Sequence, residues 1–264
     1  MGISCCKKES KVLSTINEKM DAFYFRFMKL DYIKKKINEF NEKTEKNYFT
    51  FWELTKICGI NAELEYQNKY WELVYVMYGK ENISGVLFIF ILLCKGADEQ
   101  VFSFLKHYLS NYVNKSQDEN KKLIMNLSDF EKILKTYFCC LTIVPYQSCI
   151  YFKYLTKDSD FDKISKRFNE QNISEYTTNV LKNYVKKNYY VNVEDFLENN
   201  LDLLKNDKRI RKDIMNYRKD KRSKTIHPLG GDDDFIIDKN EEKQALTPKY
   251  KEEKKFLFVC NSSK

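Results

Sequence analysis

The chain has 264 residues, 43% of them apolar, with 46 Lys+Arg against 38 Asp+Glu and a formal net charge of +8. That much apolar surface argues against disorder along the whole chain, and 7 Gly with 3 Pro are few turn residues for an all-β or α/β fold, so the expected class is all-α. With two histidines, His107 and His227, and no HExxH, CxxC, GxSxG or glycine-rich phosphate loop, the composition points to a non-catalytic protein with no metal and no cofactor.

The first element is Met1-Gly2-Ile3-Ser4-Cys5-Cys6-Lys7-Lys8. Removal of Met1 would leave Gly2 with a free amine for myristoylation, and Cys5 and Cys6 stand where palmitoylation occurs next. One acyl chain binds membranes only marginally, so a second signal is needed, and here thiols and lysines supply it. Residues 1–11 are therefore expected to be an acylated anchor holding the protein at the cytoplasmic face of a membrane.

Residues 12–40 carry Ile16, Met20, Phe23, Phe27, Leu30, Ile33 and Ile37 at mostly 3- and 4-residue spacing, which predicts one long helix. A second helix starts over Phe49–Ile57 and is ended by Gly59. Tyr70, Trp71, Val74 and Tyr75 form the face of another helix, and 84–95 reads as the next, stopped by Gly96. The run Val86–Cys94 has nine apolar residues where a membrane span needs about 20, so it is expected to be a core helix. Asp98 suits the N-cap of a helix over 99–110, and the polar stretch 111–122 a loop. Ser128 and Asp129 lead into a helix over 129–138, and Pro145 is expected to break the chain. Helices are expected again at 160–169, 174–186 and 194–205.

Residues 205–224 carry ten Lys/Arg and three Asp, a net of +7, so nearly all of the basicity sits in one stretch. Lys208, Arg209, Arg211, Lys212, Arg218, Lys219, Lys221 and Arg222 are its candidate contacts to an anionic surface, at about 1 kcal/mol each near anionic lipid. Residues 225–264 lose periodicity and read as a mostly disordered tail, closed by a short apolar strand at Phe256–Cys260. The cysteines beyond the N-terminus stand mostly in apolar contexts, as reduced core thiols would.

One pattern recurs: an apolar residue, three others, a carboxylate or its substitute, then Phe or Leu. It occurs at Phe49…Glu53-Leu54, Ile83…Leu87-Phe88, Met125…Asp129-Phe130 and Val191…Asp195-Phe196. In an EF-hand loop the apolar residue at position 8 pairs with its partner loop, position 12 is the bidentate carboxylate, and position 13 starts the exiting helix. The loops do not suit calcium. Counting back from Glu53, positions 1, 3, 5 and 6 are Glu42, Thr44, Lys46 and Asn47. From Asp129 they are Asp118, Asn120, Lys122 and Leu123, and from Asp195 they are Tyr184, Lys186, Asn188 and Tyr189. Lysine at a ligand position repels the ion, and none has the position-6 glycine. Asp158-Ser-Asp160-Phe-Asp162 has the carboxylate spacing but is succeeded by Lys163 and Asn169, and reads as a solvated turn.

With its Met1-Gly2 start and paired helix–loop–helix units, the chain resembles degenerate EF-hand proteins of the calcineurin-B and neuronal-calcium-sensor type. More closely, Glu81-Asn82-Ile83-Ser84, Phe88 and Leu92–Glu99, with Phe49–Ile57 and Leu127–Leu134 in order around them, resemble the N-terminal EF-hand-like region of TLDc-domain proteins. The resemblance covers roughly residues 45–140, and the chain beyond 205 is a charged stretch and a tail rather than a TLDc domain. It implies an EF-hand-like pair plus a third unit over 12–144, a second helical lobe over 145–204, a membrane address, and a groove for a partner's helix.

Two functions are compatible with these features. The first is a membrane-tethered adaptor or regulatory subunit that binds a protein partner presenting a helix, with Trp71, Tyr75, Phe88 and Phe102 as groove or core residues and the groove either open or filled by the tail. The second is a nucleic-acid or cytoskeleton binder acting through 205–224; the acyl signal makes lipid the favoured anion, so nucleic acid comes after it.

Overall fold

The computed structural model describes residues 11–43, 53, 65–79, 83–112, 116–117, 123–155, 161, 164–186 and 189–217, all within one compact unit, Met1–Lys219. The fold over these residues is all-α, with one small sheet tying two loops together. Its helices are α1 (Lys11–Asp21), α2 (Leu30–Lys43), α3 (Glu65–Val74), α4 (Ile83–Leu93), α5 (Asp98–Tyr112), α6 (Leu127–Tyr151), α7 (Glu170–Leu181), α8 (Val193–Lys205) and α9 (Asp207–Asn216). A turn of 3-10 helix, Tyr24–Phe27, lies between α1 and α2, and a π turn, Tyr75–Gly79, extends α3.

The helix expected over 12–40 is broken. The run Ala22-Phe23-Tyr24-Phe25-Arg26-Phe27 has more aromatic bulk than one helical face holds. Phe23 and Phe25 turn inward, to 4.7 Å from Tyr70 and 5.4 Å from Phe90 respectively, while Tyr24 and Phe27 stay exposed. One local and one long-range side-chain bond hold the break. Gln67 Nε2 donates to the Ala22 carbonyl at 3.0 Å and Arg26 Nε to that of Met20 at 2.7 Å.

At the centre α4 meets α6. From Val86 to Cys94 every residue of α4 and its C-terminal end is buried, as the apolar run implied. The crossing is close because Gly85 has no side chain: a Cβ there would lie 2.5 Å from Thr136 Cβ and 2.7 Å from the Ile133 carbonyl. Around α6 also pack α1, α3, α7 and α9. By length and composition α6 could cross a membrane, yet 83% of its apolar window is buried among these helices.

Pro145 does not break the chain; α6 runs through it, and the boundary expected between 144 and 145 falls inside this helix. A proline in a helix leaves the carbonyl four residues back without its N–H, here Leu141, and α6 tolerates it because side chains serve the carbonyls of this stretch. Arg211 Nη1 donates to Leu141 O at 3.3 Å, Tyr70 Oη to Cys140 O at 2.8 Å, and Tyr66 Oη to Pro145 O at 3.4 Å. The helix ends in a left-handed residue, Lys153 (φ 57°), with Tyr154 N–H donating to Cys149 O and Lys153 N–H to Ile150 O. That is a Schellman stop without its usual glycine.

The sheet runs β1 (Ser116–Gln117), β2 (Leu123–Asn126), β4 (Tyr190–Asn192), β3 (Val185–Lys186), all antiparallel. Its central pair sets Met125 opposite Val191. Both strands run straight into helices, and asparagines cap them. Asn126 Oδ1 accepts from Ser128 N at 2.9 Å, and Asn192 Oδ1 from Asp195 N at 3.1 Å. Asn169 and Asn206 cap α7 and α9 in the same way. The expected helix over 174–186 starts earlier, at Glu170, and stops at Leu181. The segments 49–52 and 54–57, the Asp158–Asp160 and Asp162 carboxylates, and the strand at 256–260 lie outside the described residues.

Candidate functional site

The basic stretch enters the structure as α9. Its residues Asp207, Ile210, Arg211 and Ile214 fall at i, i+3, i+4 and i+7, one helical face, and all four are buried. Arg211 is therefore not an anion-binding surface residue, which corrects the sequence expectation. Its side chain is wholly enclosed, and each of its three nitrogens has a partner: Nε donates to Asn17 Oδ1 at 2.7 Å, Nη1 to Leu141 O at 3.3 Å and Nη2 to Asp207 Oδ2 at 2.7 Å. Asp207 also accepts from Arg26 Nη2. Burial alone would raise the Asp207 carboxyl, but Arg211 and Arg26 outweigh it and hold it below the ordinary carboxylate value of 3.8. A basic helix is thus clamped into the core by one of its own cations, at the carbonyl that Pro145 leaves open.

The C-terminal end of α9 is held as well. Asn172 Nδ2 donates to Ile214 O at 3.2 Å, Arg167 Nη1 to Tyr217 O at 2.8 Å, and Tyr217 Oη to the Glu175 carbonyl at 3.3 Å. The opposite face is exposed and carries Lys208, Arg209 and Lys212. Lys208 pairs with Asp21 at 2.5 Å, and Arg209 lies 3.7 Å from Asp213. Arg218, Lys219, Lys221 and Arg222 lie outside the described residues, as do Gly2, Cys5 and Cys6.

Two of the four groove candidates are core. Trp71 is 1% exposed, stacked on Phe90 at 4.8 Å and edge-on to Phe25 and Tyr70; Phe88 is enclosed, 6.2 Å from Tyr137. Neither can meet a partner, because α3, α4 and the 3-10 turn close over Trp71 while α6 covers Phe88. Tyr75 and Phe102 are half-buried against the same core.

The loops leading to α6 and α8 meet where the recurring pattern put their apolar positions, at Met125 and Val191, both fully buried. The next positions in register, Phe130 and Phe196, make an edge-on contact at 5.2 Å. The carboxylates that would ligate calcium do other work or none: Asp195 accepts from Asn192 Nδ2 in a capping pair, and Asp129 is exposed. Tyr184, at the first ligand position, packs its ring 5.2 Å from Phe196 and its hydroxyl accepts from Asn200. Among the described residues no cluster of three His, Cys, Asp or Glu could hold a metal.

The four described cysteines, Cys94, Cys139, Cys140 and Cys149, are buried and reduced. Burial pushes the thiols of Cys94 and Cys149 up to about 11 and that of Cys139 to about 12, with Cys140 well above its ordinary value. At neutral pH they are packing groups without thiolate reactivity. Reasoning from sequence missed Asn17, Arg26 and Asp207. The signal for Asp207 was present in the 207/210/211/214 spacing; Asn17 and Arg26 come from distant parts of the chain and leave none.

No family model, no curated protein and no solved structure matches this chain.

Proposed function

We propose that this chain is a membrane-tethered, non-catalytic adaptor or regulatory subunit built on a calcium-independent, EF-hand-like pair. The first unit is α5–β2–α6 and the second α7–β4–α8. The observation that carries this reading is the antiparallel pairing of Met125 with Val191 at the feet of the two exiting helices, the place where EF-hand loops are joined. Side chains stand in for the ion there. Lys106 on α5 pairs with Glu194 on α8, and Glu194 also accepts the Leu123 N–H of β2 at 3.4 Å.

Such pairs usually receive an amphipathic target helix in an apolar groove. Here α4 lies against α5, α6 and α8, so the pair carries its own apolar helix in that role. Partner recognition then falls to exposed surface, of which the Lys208, Arg209 and Lys212 face of α9 is the leading example, while Gly2, Cys5 and Cys6 supply the anchor at the cytoplasmic face of a membrane.

Protein made in a eukaryotic cell, beside Gly2→Ala and Cys5→Ser/Cys6→Ser versions, tests the tether by intact mass and membrane partition. The reading requires myristate plus palmitate on the wild type and loss of membrane association in the variants; an unmodified, soluble wild type overturns it. Calcium should leave the melting temperature unchanged, and an increase on adding calcium to chelator-treated protein would refute a calcium-independent pair.

A further inference from the structure

The break between α1 and α2 creates a surface that neither the anchor nor α9 accounts for. In a 3-10 turn residues i and i+3 eclipse, so Tyr24 and Phe27 stand on one side of it, 54% and 57% exposed. The adjoining backbone is bridged to the end of α4: Lys29 is the partner of Lys95 in an isolated parallel bridge, closed by Leu30 N–H to Lys95 O and Lys95 N–H to Met28 O, both 2.8 Å. Two exposed lysines are thereby fixed opposite each other, an arrangement that like charge disfavours. Neither forms an ion pair among the described residues, and Lys95 Nζ instead lies 5.5 Å from the Phe27 ring centroid. On the next turn Tyr32 is 41% exposed, with Lys36 Nζ 5.6 Å from its ring. Lys36 faces Glu39 at 3.1 Å, a carboxylate it shares with Lys35, whereas Lys29 and Lys95 face no carboxylate among the described residues.

We propose that Tyr24, Phe27, Lys29, Tyr32 and Lys95 form a second membrane-contact surface, which docks the folded body on anionic lipid headgroups. This rests on the membrane-tethered reading above and adds an orientation to it. Three exposed aromatic rings beside cations are the composition of a bilayer interface, where rings sit at headgroup level and lysine stems reach past them to the phosphates. An anionic surface would also relieve the Lys29–Lys95 juxtaposition. The exposed cations here are lysines, and the one arginine of the segment, Arg26, is committed to Asp207; nucleic-acid readout favours the guanidinium fork, so lipid fits this surface better. A second exposed apolar group, Ile150, Tyr151 and Tyr154, has its ring-stacked lysines Lys69 and Lys19 facing Glu72 and Glu18, and only Lys153 beside it has no ion pair among the described residues, so it lacks the paired, opposed lysines of the first.

Full-length protein made in bacteria, and so without acyl chains, is mixed with vesicles of phosphatidylcholine alone or with added phosphatidylserine, and partition is measured by co-sedimentation. Salt-sensitive binding to the phosphatidylserine vesicles is expected. Lys29→Ala/Lys95→Ala should weaken it about twenty-five-fold, roughly fivefold for each lysine with the two multiplied. Phe27→Ser should weaken it further, and Tyr151→Ser/Tyr154→Ser should not. All the substituted side chains are exposed, and unchanged melting temperatures would show that the variants fold. Wild-type affinity in both the lysine and Phe27 variants overturns the proposal, as does tighter, Lys29/Lys95-dependent binding to RNA than to vesicles. Acylated protein on phosphatidylcholine alone separates the two readings: Gly2-dependent binding there reports the tether whatever the patch does.

Discussion

The proposition that Arg211 stands in for the N–H missing at Pro145 can be tested by a coupled pair of substitutions. Arg211→Met keeps the apolar stem and removes the guanidinium. The geometry then dictates three consequences: Asp207 keeps only Arg26, Asn17 Oδ1 loses the guanidinium Nε–H, and the buried Leu141 carbonyl has neither the guanidinium nor the N–H of residue 145. Breaking a buried, hydrogen-bonded ion pair costs about 3–5 kcal/mol, a large share of the ~5–15 kcal/mol that stabilises an ordinary domain. Pro145→Ala restores an N–H aimed at Leu141 O. In the wild type that carbonyl is already served, so the change should lie within about 1 kcal/mol of neutral. In the Arg211→Met background the same N–H satisfies an orphan acceptor and should recover about 1–2 kcal/mol.

Urea unfolding monitored by Trp71 fluorescence, in a Trp52→Phe background, gives the four stabilities. Loss of proline raises the entropy of the unfolded chain equally in both backgrounds, so that contribution cancels in the coupling. The expected coupling is about 1 kcal/mol or more, with Pro145→Ala more favourable in the Arg211→Met protein than in the wild type. Additivity within about 0.5 kcal/mol would refute the claim that Arg211 is what lets α6 pass through the proline.

Gly85→Ala should destabilise by several kcal/mol, at the upper end of the ~1–3 kcal/mol typical of overpacking, because the new Cβ meets both Thr136 Cβ and the Ile133 carbonyl; thermal unfolding would show it, and a fully stable variant would remove the close α4–α6 crossing. Lys153→Gly should stabilise by about 0.5–1 kcal/mol, since φ 57° costs a side-chain-bearing residue strain that glycine avoids, and an unchanged or lower urea midpoint would refute a Schellman stop there. Protein with Cys5, Cys6, Cys58 and Cys260 replaced by Ser should leave its remaining thiols unreactive to an aromatic disulfide reagent at pH 8 until unfolded. The folded thiols titrate above their ordinary value of 9.0, so the unfolded state ionises first and stability should fall as pH rises past about 9, which an alkaline pH series of melting temperatures reads. At the acid end Asp207 works the other way. Its depressed carboxyl stabilises the fold above the ordinary value of 3.8, and that contribution is lost as pH falls through the lower folded value; Asp207→Asn should flatten this part of the acid limb.

How much of this was legible in the sequence depended on whether a feature was local. The apolar run Val86–Cys94 could only be a core helix, and it is one. Of the recurring pattern, Met125 and Val191 meet across the sheet, whereas Ile83, Leu87 and Phe88 all lie within α4, where an unbroken apolar run makes a helix and no loop. Periodicity misled at Phe23 and Phe27, whose fourfold spacing continues the α1 pattern while the intervening Tyr24 and Phe25 make one helical face impossible. Pro145 misled because a proline's local preference is to end a helix, and only a cation 66 positions later in the chain reverses that. The Asn caps were overlooked in favour of Ser128 and Asp129, although asparagine is as good an N-cap and the chain is rich in it. For 205–224, net charge was the wrong summary; the helical face within it decides which cations reach solvent.

If α5–β2–α6 and α7–β4–α8 are the proposed EF-hand-like pair, the same contrast makes that pair rigid rather than switchable. In a sensor EF-hand the ion is a removable cross-link, and its loss lets the exiting helices close. Here the corresponding joints are built from groups that do not leave. The Met125–Val191 bridge is widened by β1 and β3 into four strands, Asn126 and Asn192 cap the exiting helices, and Lys106 with Glu194 ties α5 to α8. The apolar face that opening would expose is already covered by α4, and uncovering it would expose Val86 through Leu93, eight buried residues at about 1.5–3 kcal/mol for each large side chain. No surface contact supplies that much, so on the function proposed above regulation acts on where the surface docks, through the proposed anchor, α9 or the Lys29–Lys95 patch, rather than on an opening of the pair. Hydrogen exchange reads the difference: backbone amides of α4 should exchange only by global unfolding, with or without calcium or vesicles, and faster exchange there on membrane binding would show that the pair does open.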